Sequence, residues 1–262
     1  MNENFVNILN KTENIFSFPP ISKEFGGNDF FNKKYNNHFD RESKILECFL
    51  NGNIPSHLKK IKVITETLGN NVLHYFVLPD YLSLGNDDDF IRTPMSPLTA
   101  QTIADNYNAT LITKKMVDSI YKQADYKLEA FPLGPPYDSS MASSERYITH
   151  DNKIKNQLTN YNFSGLIAGH KKDVIITNDL APNNPLRKVC IYGWFTNQGK
   201  VIQQKNSKSH EINYVDYSHG IRLASKIAYL NNEKINLNDI MLDNELCHLV
   251  SDEGVLKFLE YR

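Results

Sequence analysis

A β-hairpin at residues 61–78 is the feature of this sequence that most constrains its fold. Residues 61–68 (IKVITETL) alternate apolar and polar side chains, which is typical of a half-buried strand. Gly69-Asn70-Asn71 supplies residues that form a tight turn, and residues 72–78 (VLHYFVL) are apolar enough for a central strand. Pro79 ends that strand because proline cannot donate to a ladder. The rest of the chain must therefore supply further strands and a layer that covers them.

Helical patterns are concentrated before residue 160. Ser96 lies between Pro94 and Pro97, an arrangement that favours a helix start, and Thr113 is the expected cap of the next helix. Apolar side chains recur at helical spacing after both positions. The predicted helices are 41–50, 98–107, 114–125 and 148–160.

Strand-like segments are concentrated after residue 160, namely 164–168, 173–178, 187–196 and 211–217. Residues 197–200 (NQGK) predict a hairpin turn before Val201-Ile202. The tail, 221–262, is expected to contain a helix, a strand-like turn and a last helix. The whole pattern predicts an α+β fold, with helices mainly before residue 160 and a mixed or antiparallel sheet built mainly from residues 61–78 and 164–225.

The N-terminal 38 residues differ from the rest of the chain. They are polar and rich in Asn and Phe, and Pro19-Pro20 and Gly26-Gly27 interrupt any periodicity. We expect residues 1–38 to form an irregular arm whose aromatic side chains pack onto the body. Residues 39–262 are expected to form a single α+β domain, since 262 residues with 40% hydrophobic side chains can bury a substantial core.

Charge and targeting signals narrow the class of protein. The chain has 29 basic and 30 acidic residues, so nothing in its net charge of −1 favours nucleic acid as a partner. The N-terminus lacks the basic region and long apolar run of a signal peptide, and no apolar window approaches the length of a membrane span. We expect a cytoplasmic protein or a mature secreted form. The three cysteines form no CxxC pair, which disfavours a zinc knuckle or a disulfide framework.

Acid–base side chains are densest at residues 210–223 (HEINYVDYSHGIRL). In a regular strand, Asp216 and Ser218 would share one face, while Tyr217 and His219 would share the other. Gly220 would break or bulge such a strand and redirect the residues after it.

Three interpretations of this segment stay open. His210, Asp216 and His219 are a possible ligand set for zinc, although a bulge would be needed to bring the last two together. Without a metal, His219 would be a general base supported by Asp216, with Ser218 as nucleophile or hydrogen-bond donor. Alternatively, the polar groups are buried and satisfy one another.

A second polar segment and a long loop are expected near this one. Gly169-His170-Lys171-Lys172 precedes a clear strand, so Lys171 or Lys172 would stabilise an oxyanion or bind a substrate carboxylate, unless this is simply a solvated turn. Residues 130–145 contain three prolines and four serines and would be a linker or an active-site flap. The G-x-S-x-G, H-E-x-x-H, P-loop and G-x-G-x-x-G motifs are absent from the sequence, which disfavours the enzyme classes that use them.

Two resemblances bear on function. The segments PDYLSLGNDDDFIRTPMSPLTAQTIAD, TKKMVDSIY, AGHKKDVIITN, IYGW and YVDYSHGIRL resemble a family of uncharacterised bacterial hypothetical proteins over about residues 40–250, many of them exported. That resemblance implies one bacterial domain and no reaction type. Residues 191–193 (IYG) and 218–223 (SHGIRL) are similar to the L,D-transpeptidase pattern I-H-G and S-H-G-C-I-R. Tyr192 stands where that family has histidine and the catalytic cysteine is missing, so the thiolate mechanism is unavailable to this chain.

The sequence predicts a hydrolase acting on an amide or related acyl bond of a small peptide, cell-wall fragment or peptide-like metabolite. His219 would be the general base in a cofactor-free site, with zinc as the alternative. The competing hypothesis is a non-catalytic module that binds a glycan or peptide on an aromatic surface. The residues expected to bind substrate or ligand are Tyr192, Trp194, Tyr214, Tyr217 and Arg222.

Overall fold

The computed structural model describes residues 15–22, 24–159 and 164–262. It has an α+β fold, as predicted. Six α-helices lie in the described ranges, and all but the last precede residue 160. They are α1 (Gly27–Phe31), α2 (His38–Leu50), α3 (Pro97–Asn106), α4 (Lys114–Gln123), α5 (Ser144–Gln157) and α6 (Leu237–Leu242). None of these helices is both long enough and apolar enough to cross a membrane.

Within the described residues, the strands form two larger sheets and two small ones. The first larger sheet has the order β1-β2-β12-β13, with β5 also paired to β12, and the second has the order β10-β9-β8-β11. The pairs β3-β4 and β6-β7 stand apart from them. The strands are β1 (Lys62–Leu68), β2 (Asn71–Val77), β3 (Ser83–Gly85), β4 (Phe90–Arg92), β5 (Ala109–Leu111), β6 (Tyr126–Lys127), β7 (Ile167–Ala168), β8 (Lys172–Val174), β9 (Ile191–Phe195), β10 (Val201–Asn206), β11 (His219–Gly220), β12 (Leu223–Leu230) and β13 (Glu233–Asn236).

The elements with strong local signals form where the sequence predicts them. β1 and β2 make the expected hairpin with Leu68 opposite Asn71, and β2 is a central strand because β12 pairs with its other edge. The Ser96 side chain caps α3 by accepting from the backbone N–H of Thr99, and Thr113 caps α4 in the same way. These caps satisfy N–H groups that would otherwise lack partners at a helix start.

Three predicted elements are wrong. Residues 211–217 are turns and irregular chain with one isolated bridge at Glu211, because the Asp216 side chain accepts from the backbone N–H of Ser218 and closes a local turn instead of a ladder. Residues 223–230 form strand β12 rather than a helix, because β2 and β13 offer ladder partners on both sides. The expected last helix is absent from residues 251–262, which are irregular.

The N-terminal arm is only partly irregular. Residues 1–14 and 23 lie outside the described residues, and residues 27–31 form α1. The side chains of Phe16, Phe30 and Phe31 are buried in the main core, as the prediction of packing aromatics requires. The division into an arm and one domain stays a prediction.

Candidate active site

The second larger sheet brings the two polar segments together. β8 pairs antiparallel with β9 and parallel with β11, so Lys172 lies beside His219 and its backbone N–H donates to the Ser218 carbonyl at 2.8 Å. Gly220 permits this close approach, since a Cβ atom there would lie 2.6 Å from the Tyr81 ring and 2.7 Å from the Lys171 Cβ. The side chains gathered here are called the lysine cluster, and they are His150, Lys171, Lys172, Trp194, Asp216, Tyr217 and His219.

Asp216 is the fixed anion of the cluster. Its Oδ1 accepts from the backbone N–H of Ser218 at 2.7 Å and from the Ser218 hydroxyl at 2.5 Å, and its Oδ2 accepts from the Tyr214 hydroxyl at 3.3 Å. Burial alone would raise the pKa of Asp216, but His219, Lys172 and the Ser218 hydrogen bonds lower it to about 2. Asp216 is therefore ionised, and its oxygens are already engaged in holding the 216–219 turn.

The His219 imidazole lies near the Asp216 carboxylate but is not hydrogen-bonded to it, and only the His219 backbone N–H donates to the Asp216 carbonyl, at 3.2 Å. The turn brings His219 Nε2 within 3.9 Å of Asp216 Oδ2, whereas a regular strand would have separated them. The Ser218 hydroxyl donates to Asp216 and not to an imidazole, so no Ser–His–Asp relay is formed. His219 is fully buried, and burial lowers its pKa to about 4. The imidazole is neutral at pH 7 and is a weak base.

Lys171 carries the most strongly perturbed amine of the two lysines. It is completely buried, and its ammonium donates to the Tyr217 carbonyl at 2.7 Å. Burial lowers the pKa of Lys171 to about 7, even though the nearby carboxylate of Asp151 acts to raise it. A lysine with this pKa is available as a neutral amine at physiological pH.

Lys172 and Trp194 lie on the adjoining strands. The Lys172 ammonium is 4.7 Å from the centroid of the Trp194 ring and 4.0 Å from Asp216 Oδ2, and burial lowers the pKa of this lysine. Trp194 has a left-handed backbone (φ 62°) directly after Gly193 (φ 107°). Non-glycine residues rarely adopt this conformation, and such strained positions concentrate at functional sites.

His150 belongs to the cluster, although the sequence reasoning missed it. It lies on the buried face of α5, with its ring 5.0 Å from that of Tyr217 and 6.4 Å from that of Trp194. Its pKa falls well below the usual value because of burial and then because of the charge on Lys171. The only signal in the sequence was a histidine at helical spacing from Tyr147 and Ile154.

The ring nitrogens of His150 and His219 are the unexplained feature of the cluster. All four are buried and have no hydrogen-bond partner within the described ranges. The charges of Lys171 and Lys172 act on both imidazoles, so the unpaired nitrogens lie in the same region as the two amines. Buried polar atoms normally have partners, and a set of unpaired ones indicates a place for water or a ligand.

An ion-pair network with equal numbers of positive and negative charges lies next to the cluster and involves residues of β4 and α5. The sequence analysis did not predict it. Arg92 donates to Asp80 Oδ2 at 2.9 and 2.7 Å and to Asp151 Oδ1 at 3.0 Å. His170 Nε2 lies 3.2 Å from Asp80 Oδ1, and Lys155 lies 3.0 Å from Asp151 Oδ2. Two carboxylates enclose one guanidinium, so this network is a scaffold beneath Lys171 rather than a reactive group.

The loop at residues 132–142 is fastened to the cluster through Tyr217. The Tyr217 hydroxyl accepts from the backbone N–H of Leu133 at 2.8 Å, and the Tyr217 N–H donates to the Met141 carbonyl at 3.0 Å. Arg146 holds the same loop by donating to the carbonyls of Gly134 and Pro136, each at 3.0 Å. These contacts hold the loop against Tyr217 and α5, and its role as a flap stays a prediction.

The predicted aromatic surface is not formed. Tyr192 points to α4, where its hydroxyl donates to Asp118 at 2.8 Å, while Trp194 and Tyr217 are buried and Tyr214 is half-buried. Arg222 is fully buried as well. It donates to the carbonyls of Leu78 and Ile167 at 2.8 and 2.6 Å.

The predicted zinc ligands do not converge. The His210 ring stacks on Tyr214 with their centroids 3.9 Å apart, and it is Tyr214 that contacts Asp216 and His219. In the part of the chain that the structure describes, no group of three His, Cys, Asp or Glu side chains is placed to hold a metal.

Comparison of the chain with models of protein families, with curated proteins and with solved structures finds no match. The function proposed below therefore rests on the geometry and charges of the lysine cluster.

Proposed function

We propose that the protein is a hydrolase that cleaves an amide or related acyl bond of a small peptide-like substrate, with Lys171 as its general base. One observation carries the proposal. The fully buried amine of Lys171, with a pKa of about 7, lies near the imidazoles of His150 and His219, whose four buried nitrogens have no hydrogen-bond partner among the described residues. Groups of this kind with perturbed pKa values are typical of catalytic sites.

Lys171 takes the role that the sequence assigned to His219. A general base works best when its pKa is near the operating pH. The pKa of Lys171 is about 7, whereas the pKa of His219 is about 4. The imidazole of His219 is better suited to donate or accept a hydrogen bond that orients water or the acyl oxygen.

The proposed step moves one proton through Lys171. The neutral amine takes a proton from a water molecule as the water oxygen attacks the acyl carbon. The bond from that carbon to the leaving nitrogen then breaks, and the Lys171 ammonium returns the proton to the leaving amine. The Lys172 ammonium would stabilise the negative charge that develops on the acyl oxygen.

Access to the cluster would require movement of the 132–142 loop. Tyr217, which bonds to this loop, also accepts the Lys171 hydrogen bond through its carbonyl. A loop that closes over bound substrate would exclude water and keep the amine poorly solvated.

The competing hypothesis of a binding module with an exposed aromatic surface has less support, because Trp194 and Tyr217 are buried. Binding without turnover is a distinct outcome of the experiment below.

The test is a turnover screen with 4-nitroanilides and 4-nitrophenyl esters of short acyl groups. For any substrate that is cleaved, Lys171→Met should lower kcat/KM by about 100-fold or more, the usual contribution of a general base. The matched control is Lys200→Met, because Lys200 is exposed in the turn after β9. The pH profile of the wild-type protein should rise to a plateau with a midpoint near 7, and small amines should restore activity to Lys171→Ala. Turnover by Lys171→Met at the wild-type rate would show that Lys171 is not the base.

A further inference from the structure

We infer that the lysine cluster also contains a carboxylate-binding site at Lys172, so that the substrate carries a carboxylate beside the bond that is cleaved. This inference rests on the proposed function for its catalytic part. Its binding part stands on the charges and hydrogen-bonding groups of the cluster.

The Lys172 ammonium lacks a close anionic partner in the described structure. Its nearest carboxylate oxygen, Asp216 Oδ2, is 4.0 Å away and already accepts from Tyr214. The other Asp216 oxygen is occupied by Ser218. Contact with the Trp194 ring holds the ammonium in place but does not neutralise it.

The charges of the region do not balance when Lys171 and Lys172 are both protonated. Arg92 is matched by two carboxylates, and Lys155 contributes a further positive charge to that network. Among the described residues, Asp216 is the only carboxylate within 4.0 Å of either lysine ammonium, although Asp151 and Asp80 also act on Lys171 from farther away. One amine can remain neutral, as the pKa of Lys171 allows, or an anion can enter.

The neighbouring groups suit a carboxylate. His219 offers a ring nitrogen without a partner, and an imidazole N–H together with an ammonium can bind both oxygens of a carboxylate. Lys172 is the more accessible of the two lysines, with 15% of its side chain exposed, while Lys171 is completely buried. A carboxylate held at Lys172 would therefore leave the acyl carbon deeper in the cluster, toward the base.

The binding test follows thermal stability in acetate, succinate and phosphate, with chloride at matched ionic strength as the reference. The wild-type protein and Lys200→Met should show saturable stabilisation by the carboxylates. Lys172→Met should lose it. Saturable stabilisation by phosphate alone, or equal shifts in all three proteins, would overturn a carboxylate site at Lys172.

The turnover test compares the 4-nitroanilides of succinic acid and butyric acid, which differ by one carboxylate. The wild-type protein should prefer the succinyl compound by about tenfold or more in kcat/KM, the scale of one charge-assisted hydrogen bond. Lys172→Met should remove this preference. Cleavage of the butyryl compound should also fall, because the ammonium that stabilises the acyl oxygen is lost, but kcat/KM should fall about tenfold further for the succinyl compound.

The two proposals fail in different ways. Equal cleavage of both anilides would uphold the hydrolase and overturn the carboxylate site. Saturable carboxylate binding that needs Lys172, with neither anilide cleaved and no ester turned over, would uphold the binding site and overturn the hydrolase.

Discussion

Replacing Lys171 with methionine should stabilise the folded protein while removing the proposed general base. A fall of the Lys171 pKa from 10.5 to about 7 on folding means that the unfolded chain binds more protons than the native state between these pH values. Stability therefore rises with pH across this window. At pH 7 the buried amine costs about 4 kcal/mol of folding free energy, and at pH 9 the cost is about 2 kcal/mol.

The methionine side chain removes this cost but also removes a hydrogen bond. Lys171 donates to the Tyr217 carbonyl at 2.7 Å, and leaving that acceptor unpaired should cost about 2 kcal/mol. The expected net effect of Lys171→Met is a gain of about 2 kcal/mol in the free energy of unfolding at pH 7, shrinking to about zero at pH 9.

Urea unfolding of the wild-type protein, Lys171→Met and the Lys200→Met control at both pH values measures these differences. The exposed control should change stability by less than about 0.5 kcal/mol at either pH. A loss of stability in Lys171→Met at pH 7 that does not depend on pH would mean that the folded protein solvates this ammonium well. Lys171 would then be charged at pH 7 and could not be a neutral base.

Three further substitutions test the surroundings of the cluster. Asp80→Asn should destabilise the protein by about 3 kcal/mol, measured by urea unfolding at pH 7, because it leaves a buried ion-pair network short of one charge. Burial alone would raise the pKa of Asp80, but its cationic partners hold it well below 3.8. The wild-type advantage over this variant should therefore begin to shrink as the pH falls below about 4, and be lost only as the pH falls through the depressed pKa of Asp80. Tyr217→Phe should lower the free energy of unfolding by about 1 kcal/mol or less, because the hydrogen bond to Leu133 is lost. The loss of this bond should also increase proteolytic cleavage within residues 132–142. An unchanged cleavage rate would show that the bond does not hold the loop. Gly220→Ala should lower the free energy of unfolding by about 2 kcal/mol in the same urea titration, since the added Cβ would overlap the Tyr81 ring. Wild-type stability in this variant would contradict the close approach of Tyr81 to Gly220.

The elements that the sequence predicts well are those with local causes. The hairpin of β1 and β2 follows from alternation and a turn, and α3 and α4 begin at capping side chains that act within three residues. Residues 223–230 were predicted to be helical because their small and apolar side chains suit either a helix or a strand. They form a strand because β2 and β13 offer hydrogen-bonding partners on both sides. Tertiary pairing overrides local propensity there.

The candidate site is predictable only in part, for the same reason. The sequence favours proximity of residues 169–173 and 216–220, and the structure places them side by side in β8 and β11. His150 and Arg92 give no comparable signal, because α5 and β4 bring them to the cluster from 20 or more residues away along the chain. The distance between the Asp216 and His219 side chains depends on a local turn. The alternation of polar and apolar residues in the sequence does not predict the geometry of that turn.

The hydrogen bonds of Tyr217 link the solvation of the amine to the position of the 132–142 loop. One residue bonds to the loop through its hydroxyl and its N–H, and to Lys171 through its carbonyl. If release of the loop admits water, the amine regains its hydration and its pKa rises toward 10.5. The open protein would then carry an inert ammonium, which protects the side chain from stray electrophiles, and reactivity would return only when the loop closes.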